Sequence, residues 1–325
     1  MLLLSRSEVA SLMDFDGYVQ VVEEAFRLHA EGASLEPALA HVDADQGEFH
    51  IKAGGLRGST PYFAVKVNGG FFGNRARFGL PNIQGLIMLS RADNGVPVAA
   101  MDSIEITIRR TGAAGAVAAK YLARRDSRVC TVCGCGTQGR IQLRALRHVL
   151  PIEKAFAWSR ERERADAFAA EMSRELDVAV TPVSDLAEAL SRSDVCVTCT
   201  PAKSPFLRRA DIPAGMFIAA MGADSPDKQE IDADLVAAAK LVVDLRAQAV
   251  AVGETHHAVA QGLMEPGRIH AELGEIVAGK KQGRTSNQEV IIFDSTGTAL
   301  QDVAAGAAVY ERARAAGAGL EWKPV

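Results

Sequence analysis

The segment GCGTQG at residues 134–139 contains three glycines at the spacing of a dinucleotide-binding turn. A short apolar segment typical of a buried strand precedes the turn, and a segment with helical apolar spacing follows it. Gly134 would allow the tight turn, Gly136 the approach of a pyrophosphate, and Gly139 close packing of helix against strand. The N-terminus of the helix would offer free N–H groups to the phosphates. The predicted dinucleotide-binding residues are Gly134, Gly136, Thr137, Gln138 and Gly139, and a purely structural turn is the alternative.

The second strand-like segment, AFAWS, ends where a dinucleotide-binding fold contacts the adenosine ribose. An acidic residue there is typical of NAD sites, but this chain has Ser159 followed by Arg160. Serine and arginine suit a 2′-phosphate, so the predicted cofactor is NAD(P)H, with NADPH slightly favoured over NADH. In the alternative interpretation Arg160 is a solvated side chain, and Glu161 or Glu163 contacts the ribose.

The elements around this turn predict an α/β protein with two domains. From about residue 111 strand-like and helix-like segments alternate, which indicates a Rossmann fold with a doubly wound parallel sheet. Residues 37–101 contain short strand-like segments separated by turn signals, which predict a smaller, mostly antiparallel α+β domain. The predicted domains are residues 1–112 with 297–325, for substrate binding and dimerisation, and residues 113–296, for dinucleotide binding.

Composition excludes several other classes of protein. The net charge is −4 and the basic residues are scattered, so no nucleic-acid partner is expected. No apolar run reaches the roughly 18 residues that a membrane span needs, and the N-terminal apolar run is too short for a signal peptide. A cytoplasmic enzyme with a small-molecule substrate is therefore expected. The five cysteines include CTVC and CVTC, but both lie in strand-like segments, where residues three apart point to opposite faces. We expect these cysteines to pack in the core and no metal site to form.

Several segments together resemble one enzyme family. They are YFAVKVNGGFFGN, ITIRRTGAAGAVAAKYLA, CGCGTQGRIQLRAL, AAMGADSPDKQE and VIIFDSTGTALQDVA. In this order they resemble the ornithine cyclodeaminase/mu-crystallin family over nearly the whole chain. The resemblance implies a Rossmann domain, and a substrate domain through which subunits form a homodimer. The family includes cyclodeaminases, ketimine reductases, an alanine dehydrogenase type and iminosuccinate reductases.

The resemblance also assigns roles to polar residues that would otherwise be interpreted as surface charges. Lys66 and Arg110, the latter placed in a turn, match the family's ligands for the substrate carboxylate, and Lys66 is also counted as catalytic. An ammonium and a guanidinium suit a carboxylate chemically. Asp224 matches the catalytic carboxylate beside the nicotinamide. Weaker assignments are Thr111 and Asn74 to the substrate, and Thr200 and Ser295 to the cofactor.

The chain departs from the cyclodeaminase pattern at two places. His50 stands where cyclodeaminases carry a glutamate, and the segment EPALAHV lacks their arginine. Lys52 follows two residues after His50 and is expected on the same strand face. This basic pair would suit a second substrate carboxylate better than a cationic amine. The alternatives are that His50 is a core histidine and Lys52 is solvated.

The expected function is reduction of a 2-imino acid by NAD(P)H, with iminosuccinate giving aspartate as the best single substrate. The main alternative is an ornithine or lysine cyclodeaminase, a lyase that recycles bound NAD. An alanine-dehydrogenase-like enzyme, a cyclic ketimine reductase and a ligand-binding protein similar to mu-crystallin are further alternatives. Net consumption of NAD(P)H would separate the reductases from the lyase.

Overall fold

The structure is a computed structural model that describes residues 1–323. The chain divides into two compact units. The first unit contains Met1–Ala113 and Thr298–Val325, and the second contains Ala114–Gly297. The sequence placed both divisions one residue earlier. A long helix, α4 (Ser103–Leu122), contains the first division, and the second lies just before the C-terminal helix, α12 (Ala299–Ala316).

The first unit contains a seven-stranded sheet in the order β15-β1-β6-β5-β4-β3-β2. Its strands are antiparallel except for the β1–β6 pair, which is parallel. The strands are β1 (Leu2–Leu4), β2 (Ser34–Ala44), β3 (Gly47–Arg57), β4 (Pro61–Gly70), β5 (Ile83–Arg91), β6 (Pro97–Asp102) and β15 (Leu320–Glu321). The other helices of this unit are α1 (Arg6–Leu12), α2 (Phe15–Ala30) and α3 (Asn74–Phe78).

The helix α12 packs against α2 and against one face of the sheet, on β3, β4 and β5. The alternation of β5 shows why this face is covered: Ile87 and Leu89 are fully buried, whereas Leu86 and Met88 are exposed on the other face. Every second residue of the central strands therefore faces α12. The polar side chains on that face lie in a buried environment.

The second unit contains an eight-stranded parallel sheet in the order β13-β12-β14-β11-β10-β7-β8-β9. Its strands are β7 (Val129–Cys133), β8 (Lys154–Trp158), β9 (Ala179–Val183), β10 (Val195–Thr198), β11 (Phe217–Ala220), β12 (Lys240–Val243), β13 (Ala271–Glu272) and β14 (Ile291–Asp294). The helices are α5 (Thr137–Val149), α6 (Arg162–Leu176), α7 (Leu186–Ser191), α8 (Ala233–Ala238), α9 (Arg246–Val252), α10 (Glu254–Ala260) and α11 (Leu273–Val277). The strand order reverses between β7 and β10, which is where doubly wound sheets bind ligands. The predicted α/β fold class is confirmed.

The cysteines belong to the core of the second unit. Cys130, Cys133 and Cys196 are fully buried, and only Cys199 is partly exposed. Burial raises the pKa of the Cys133 thiol well above its usual value. These side chains therefore pack as small apolar groups.

Three local elements differ from those predicted from the sequence. The strand β2 was not predicted, because Pro37 interrupts the pattern; the pairing register of β2 shifts between Leu35 and Ala38, which accommodates the proline as a bulge. Arg110 was predicted in a turn, but it lies within α4, where buried Ile106 shows that packing overrides the weak helix preference of β-branched residues. Asn74 begins the short helix α3, in a region where the sequence indicated only strand-like segments and turns. Within residues 1–323 no helix has both the length and the apolar character needed to cross a membrane.

Candidate active site

A buried cluster of charges lies in the first unit between β4, α4 and α12. Asp302 is its only acid, and its two oxygens face different cations. Its Oδ2 lies 2.6 Å from Nζ of Lys66, and its Oδ1 accepts a hydrogen bond of 3.0 Å from Nε of Arg110. Gln301 accepts a further bond of 2.9 Å from a terminal nitrogen of Arg110. The structure thus brings together Lys66 and Arg110, the two residues predicted to bind a carboxylate.

A third cation belongs to the same cluster, because Lys52 on β3 is directly opposite Lys66 on β4 in the strand register. Lys52, Lys66 and Arg110 are all about 95% buried or more. Burial, followed by the charge of Arg110, lowers the pKa of Lys66 to about 7. Burial alone would raise the pKa of Asp302, but Lys66 and Arg110 outweigh it and hold that pKa below its usual value. We call Lys52, Lys66, Arg110 and Asp302 the charged cluster.

The charged cluster contains three basic side chains and one carboxylate. Two like charges directly opposite each other on a sheet are unfavourable unless an anion lies between them. In addition, Nε2 of the fully buried Gln301 has no hydrogen-bond partner among the described residues. An ammonium, a guanidinium fork and an amide N–H are donors suited to an incoming carboxylate.

The other residues predicted to bind substrate have mostly local partners. His50 lies on the same face of β3 as Lys52, but Nε2 of His50 is 3.1 Å from a carboxylate oxygen of Glu48, so an acid is present on this face. Thr111 donates to the carbonyl of Thr107, one turn earlier in α4. Asn74 donates to the carbonyl of Pro81 beyond α3.

The glycine-rich turn of the second unit has the geometry that a phosphate cradle requires. Gly134 has a φ of +112°, and a Cβ there would lie 2.8 Å from the carbonyl oxygen of Cys199. A Cβ on Gly139 would lie 2.0 Å from the carbonyl oxygen of Gly134, so helix and strand approach too closely for any side chain. A Cβ on Gly136 would meet nothing within 4 Å, so open space lies beside the N-cap of α5, where Thr137 and Gln138 begin the helix. A dinucleotide pyrophosphate fits this arrangement.

A cleft of about 190 Å³ extends from this turn past the end of β8. Its lining includes the predicted Ser159, Arg160 and Thr200. The rings of Trp158 and Phe206, which also line it, lie 4.9 Å apart between centroids. Glu161 and Arg164 line the cleft too and form an ion pair of 2.7 Å. The cleft therefore contains a carboxylate, Glu161, that can accept from ribose hydroxyls and a basic side chain, Arg160, that can bind a phosphate.

Asp224 follows β11 in the loop that reaches Glu230. Its Oδ1 accepts a hydrogen bond of 2.6 Å from Nζ of Lys228, which holds the carboxyl group in place. Glu230 is fully buried and accepts from the backbone N–H of Thr200 at 2.6 Å and of Gly222 at 3.1 Å. Burial raises the pKa of Glu230 to about 7. Glu230 therefore joins the loop after β10 to the loop that carries Asp224.

Two more buried acids hold the loops after β12 and β14. Ser295, a predicted cofactor ligand, is 96% buried, and its hydroxyl donates to Asp244 at 3.3 Å. Asp244 also accepts from the backbone N–H of Gly297 at 2.7 Å. Asp294 accepts from the backbone N–H of Thr255 at 2.8 Å, and burial raises its pKa to about 6.

Three residues of these sites were not predicted from the sequence: Asp302, Gln301 and Glu230. The first could have been found, because Asp302 lies three residues from both Ala299 and Ala305 on the buried stripe of α12. A lone acid on an apolar helical stripe requires a buried cation. No comparable signal precedes Glu230, since its partners are backbone N–H groups of distant loops.

Comparison with known proteins gives a consistent result. The model of the ornithine cyclodeaminase/mu-crystallin family matches residues 1–317. An archaeal alanine dehydrogenase dimer with bound NAD superposes with a TM-score of 0.94 at 39% identity, covering 100% of this chain and 99% of that chain. Δ1-pyrroline-2-carboxylate reductase of Thermococcus litoralis, in complex with NADH and L-proline, has a TM-score of 0.94 at 35% identity, covering 99% and 100% of the two chains.

A third solved structure has the same fold. The iminosuccinate reductase of Paracoccus denitrificans, in complex with NAD⁺, has a TM-score of 0.92 at 33% identity and covers 100% of this chain and 99% of that chain. The family predicted from the sequence is confirmed. This chain belongs to the ornithine cyclodeaminase/mu-crystallin family.

Proposed function

We propose that this NAD(P)-dependent oxidoreductase reduces a small 2-imino acid to the amino acid, and that its substrate is iminosuccinate, which gives aspartate. The observation that carries the proposal is the charged cluster, in which Lys66 and Arg110 pair with the carboxylate of Asp302 and Lys52 lies opposite Lys66. The three relatives described above act, by their names, on alanine, pyrroline-2-carboxylate and iminosuccinate. All of these compounds are carboxylates with nitrogen on the adjacent carbon.

The carboxylate next to the reacting carbon is proposed to bind Arg110 and Lys66. Asp302 and Gln301 hold the guanidinium of Arg110 by two hydrogen bonds, which fixes the plane of its remaining donors. Such a fixed fork binds a planar carboxylate in one orientation. The donors are in place before substrate arrives, so little entropy is lost in ordering them.

The second carboxylate of the substrate is proposed to bind Lys52. His50 stands two residues away on the same strand face, but Glu48 balances its charge. Lys52 is therefore the better candidate for the second carboxylate, and His50 is a neighbour that shapes the pocket. A monocarboxylate such as iminopropionate has no second carboxylate to contact Lys52, so we expect the enzyme to discriminate against it.

The reaction needs a hydride at the imine carbon and a proton at the imine nitrogen. Bound NAD(P)H supplies the hydride. We propose that Asp224 exchanges the proton with the substrate nitrogen, directly or through one water molecule. Lys228 holds Asp224 by a 2.6 Å hydrogen bond, so its carboxylate is fixed in position. Lys66, with its pKa lowered to about 7, is a second group able to exchange a proton near neutral pH.

The cofactor is proposed to lie on Gly134, Gly136 and Gly139, in the cleft that continues past Ser159. The relatives contain NAD, NADH or NAD⁺. In this chain Arg160 is exposed at the cleft and is available for a 2′-phosphate, whereas Glu161 is able to accept from ribose hydroxyls. The preference between NADH and NADPH follows from which of these two side chains contacts the ribose.

A homodimer is proposed for the assembled enzyme. The face of the first unit's sheet that points away from α12 exposes large apolar side chains: Val42, Phe49, Val67, Leu86 and Met88. A contiguous exposed apolar face of this kind marks a protein interface. The archaeal alanine dehydrogenase relative is a dimer.

The substrate is tested by following oxidation of NADH and of NADPH with oxaloacetate plus ammonia, pyruvate plus ammonia, and a cyclic ketimine. Oxaloacetate plus ammonia, which forms iminosuccinate, should give the highest kcat/KM. Lys52→Met should lower kcat/KM for that substrate by roughly 10–150-fold, the loss expected for one charge-assisted hydrogen bond. The matched control is Lys323→Met, which removes an exposed lysine. A preference for pyruvate, or an equal loss for both substrates in Lys52→Met, would replace iminosuccinate with an alanine-dehydrogenase-like or cyclic ketimine substrate.

The reaction class is tested with Asp224→Asn. Loss of proton transfer should lower kcat by roughly 10²–10⁴-fold and leave cofactor affinity nearly unchanged in a fluorescence titration. A near-normal kcat would remove Asp224 from the mechanism. Release of ammonia from ornithine or lysine without net consumption of cofactor would instead identify a cyclodeaminase.

A further inference from the structure

The hairpin formed by β2 and β3 carries two histidines and two acids on one face. His41 is directly opposite His50 in the strand register, and Asp43 is directly opposite Glu48. Residues two apart in a strand point to the same face, so the two pairs lie side by side. Neither His41 nor Asp43 has a role in the proposed reduction.

The ligand atoms of these side chains converge. One ligand atom from each of His41, Glu48 and His50 lies within 4.8 Å of the others. Nε2 of His50 is 3.1 Å from a Glu48 oxygen, and Nε2 of His41 is 3.6 Å from the other. Asp43 approaches His41 Nε2 to 2.9 Å. Ligands about 2.0–2.1 Å from a tetrahedral zinc ion lie roughly 3.3 Å from one another, so the ligand atoms of His41, Glu48 and His50 would approach one another by at most about 1.5 Å. The exposed side chain of Asp43 would turn toward them.

From this geometry we propose that His41, Glu48 and His50, with Asp43 as a fourth ligand, bind a divalent transition-metal ion. Imidazole and carboxylate ligands select Zn²⁺ and its neighbours in the first transition row rather than Mg²⁺ or Ca²⁺. Two neutral imidazoles and two carboxylates also balance a dication. The ion would separate Asp43 from Glu48, which otherwise place like charges directly opposite each other.

The solvent exposure of the proposed ligands differs along the hairpin. The side chain of Asp43 is 92% exposed and that of His50 is 13% exposed. An ion can therefore enter from solvent at Asp43 and reach ligands that packing already orders. Because the ligands lie on two strands joined by a two-residue turn, the ion would clamp the hairpin.

The same contacts have a competing explanation, in which protonated imidazoles pair with the two carboxylates and no metal binds. The two explanations differ in their response to pH. Metal binding requires neutral histidines, so it strengthens from pH 5.5 to 7.5 and releases protons. Imidazolium–carboxylate pairing weakens over the same range, because histidine loses its proton near pH 6.5.

The test is calorimetric titration of Zn²⁺ into the full-length, chelator-treated protein, with metal content measured after gel filtration. Wild type should bind one Zn²⁺ per chain at this site. His41→Ala and the nearly isosteric Glu48→Gln should each weaken binding by at least the roughly 10–100-fold that loss of an outer partner costs. His148→Ala, which removes a histidine outside the hairpin, is the matched control and should bind as wild type does.

Cobalt substitution checks the ligand type. Co²⁺ at a nitrogen and oxygen site should give visible d–d bands without a thiolate-to-cobalt charge-transfer band, which distinguishes the hairpin from the cysteines of the second unit. Glu48→Gln keeps the shape of the side chain, so circular dichroism should show an intact fold while the affinity falls. The proposal is overturned if wild type takes up no Zn²⁺ at pH 7.5. It is also overturned if His41→Ala and Glu48→Gln, folded as wild type, bind Zn²⁺ equally well.

Discussion

The two units bury ionisable side chains in opposite ways. In the first unit the carboxylate of Asp302 faces two cations, and its pKa is lowered despite burial. In the second unit Glu230 and Asp294 are equally buried but are held mainly by backbone N–H groups. Burial raises their pKa values to about 7 and about 6.

This difference is the one expected between the proposed carboxylate-binding site and carboxylates that support the structure. A carboxylate surrounded by more cations than it can neutralise leaves a net positive charge. That charge attracts an incoming anion. Carboxylates held by neutral amides leave no such excess and instead join loops, as Glu230 joins the backbone of Thr200 to that of Gly222. Four substitution or pH experiments test this contrast.

The largest effect is expected for Asp302→Asn. The asparagine would leave Lys66 and Arg110 buried without their anion, and breaking a buried pair in this way costs about 3–5 kcal/mol. The free energy of unfolding, from urea titration, measures the cost. Asp166→Asn removes a half-exposed partner of Arg162 and should cost less than about 1 kcal/mol. Equal costs for both variants would show that the charged cluster is not the buried network described above.

The next effect concerns a cation of the second unit that is exposed rather than buried. If Arg160 contacts a 2′-phosphate, Arg160→Asp should weaken NADPH relative to NADH by roughly 1.5–3 kcal/mol. The ratio of kcat/KM for the two cofactors measures it. An NADH preference in wild type that the substitution leaves unchanged would make Arg160 a solvated side chain.

A smaller effect is expected for Glu230→Gln. One amide oxygen can still accept from one loop, but the amide nitrogen would face a backbone N–H of the other loop, which costs about 1–3 kcal/mol. The loss should appear as a higher Kd for the dinucleotide, because Thr200 lines its cleft. Glu188→Gln, on the exposed side of α7, is the control. A dinucleotide Kd equal to that of wild type would show that Glu230 does not position this loop.

The pH dependence of kcat/KM gives the smallest effect. Because the pKa of Lys66 is about 7, half of its positive charge is already lost near that pH and the rest is lost as the pH rises further. Binding of a carboxylate substrate should therefore weaken above pH 7, by at most about tenfold per pH unit. Lys66→Arg keeps its charge and should flatten the profile. Because Glu230 ionises in the same range, a decline that disappears in Glu230→Gln but persists in Lys66→Arg would move the effect to the second unit.

The sequence by itself determined the features that depend on neighbouring residues. The glycine spacing at residues 134–139 predicted the turn, because φ of +112° at Gly134 and contact of 2.0 Å at Gly139 exclude side chains. The alternation of strands and helices predicted the α/β fold, and several segments together predicted the family, which is confirmed.

Only the tertiary structure decided which charges meet. Asp302 and Lys66 are far apart in the sequence, yet they share an ion pair of 2.6 Å because α12 returns to the face of β4. His41 meets Glu48 and His50 only through the register of β2, a strand in which Pro37 interrupts the sequence pattern. Local spacing fixes turns and periodicity, whereas electrostatic partners are set by packing between segments distant in the chain.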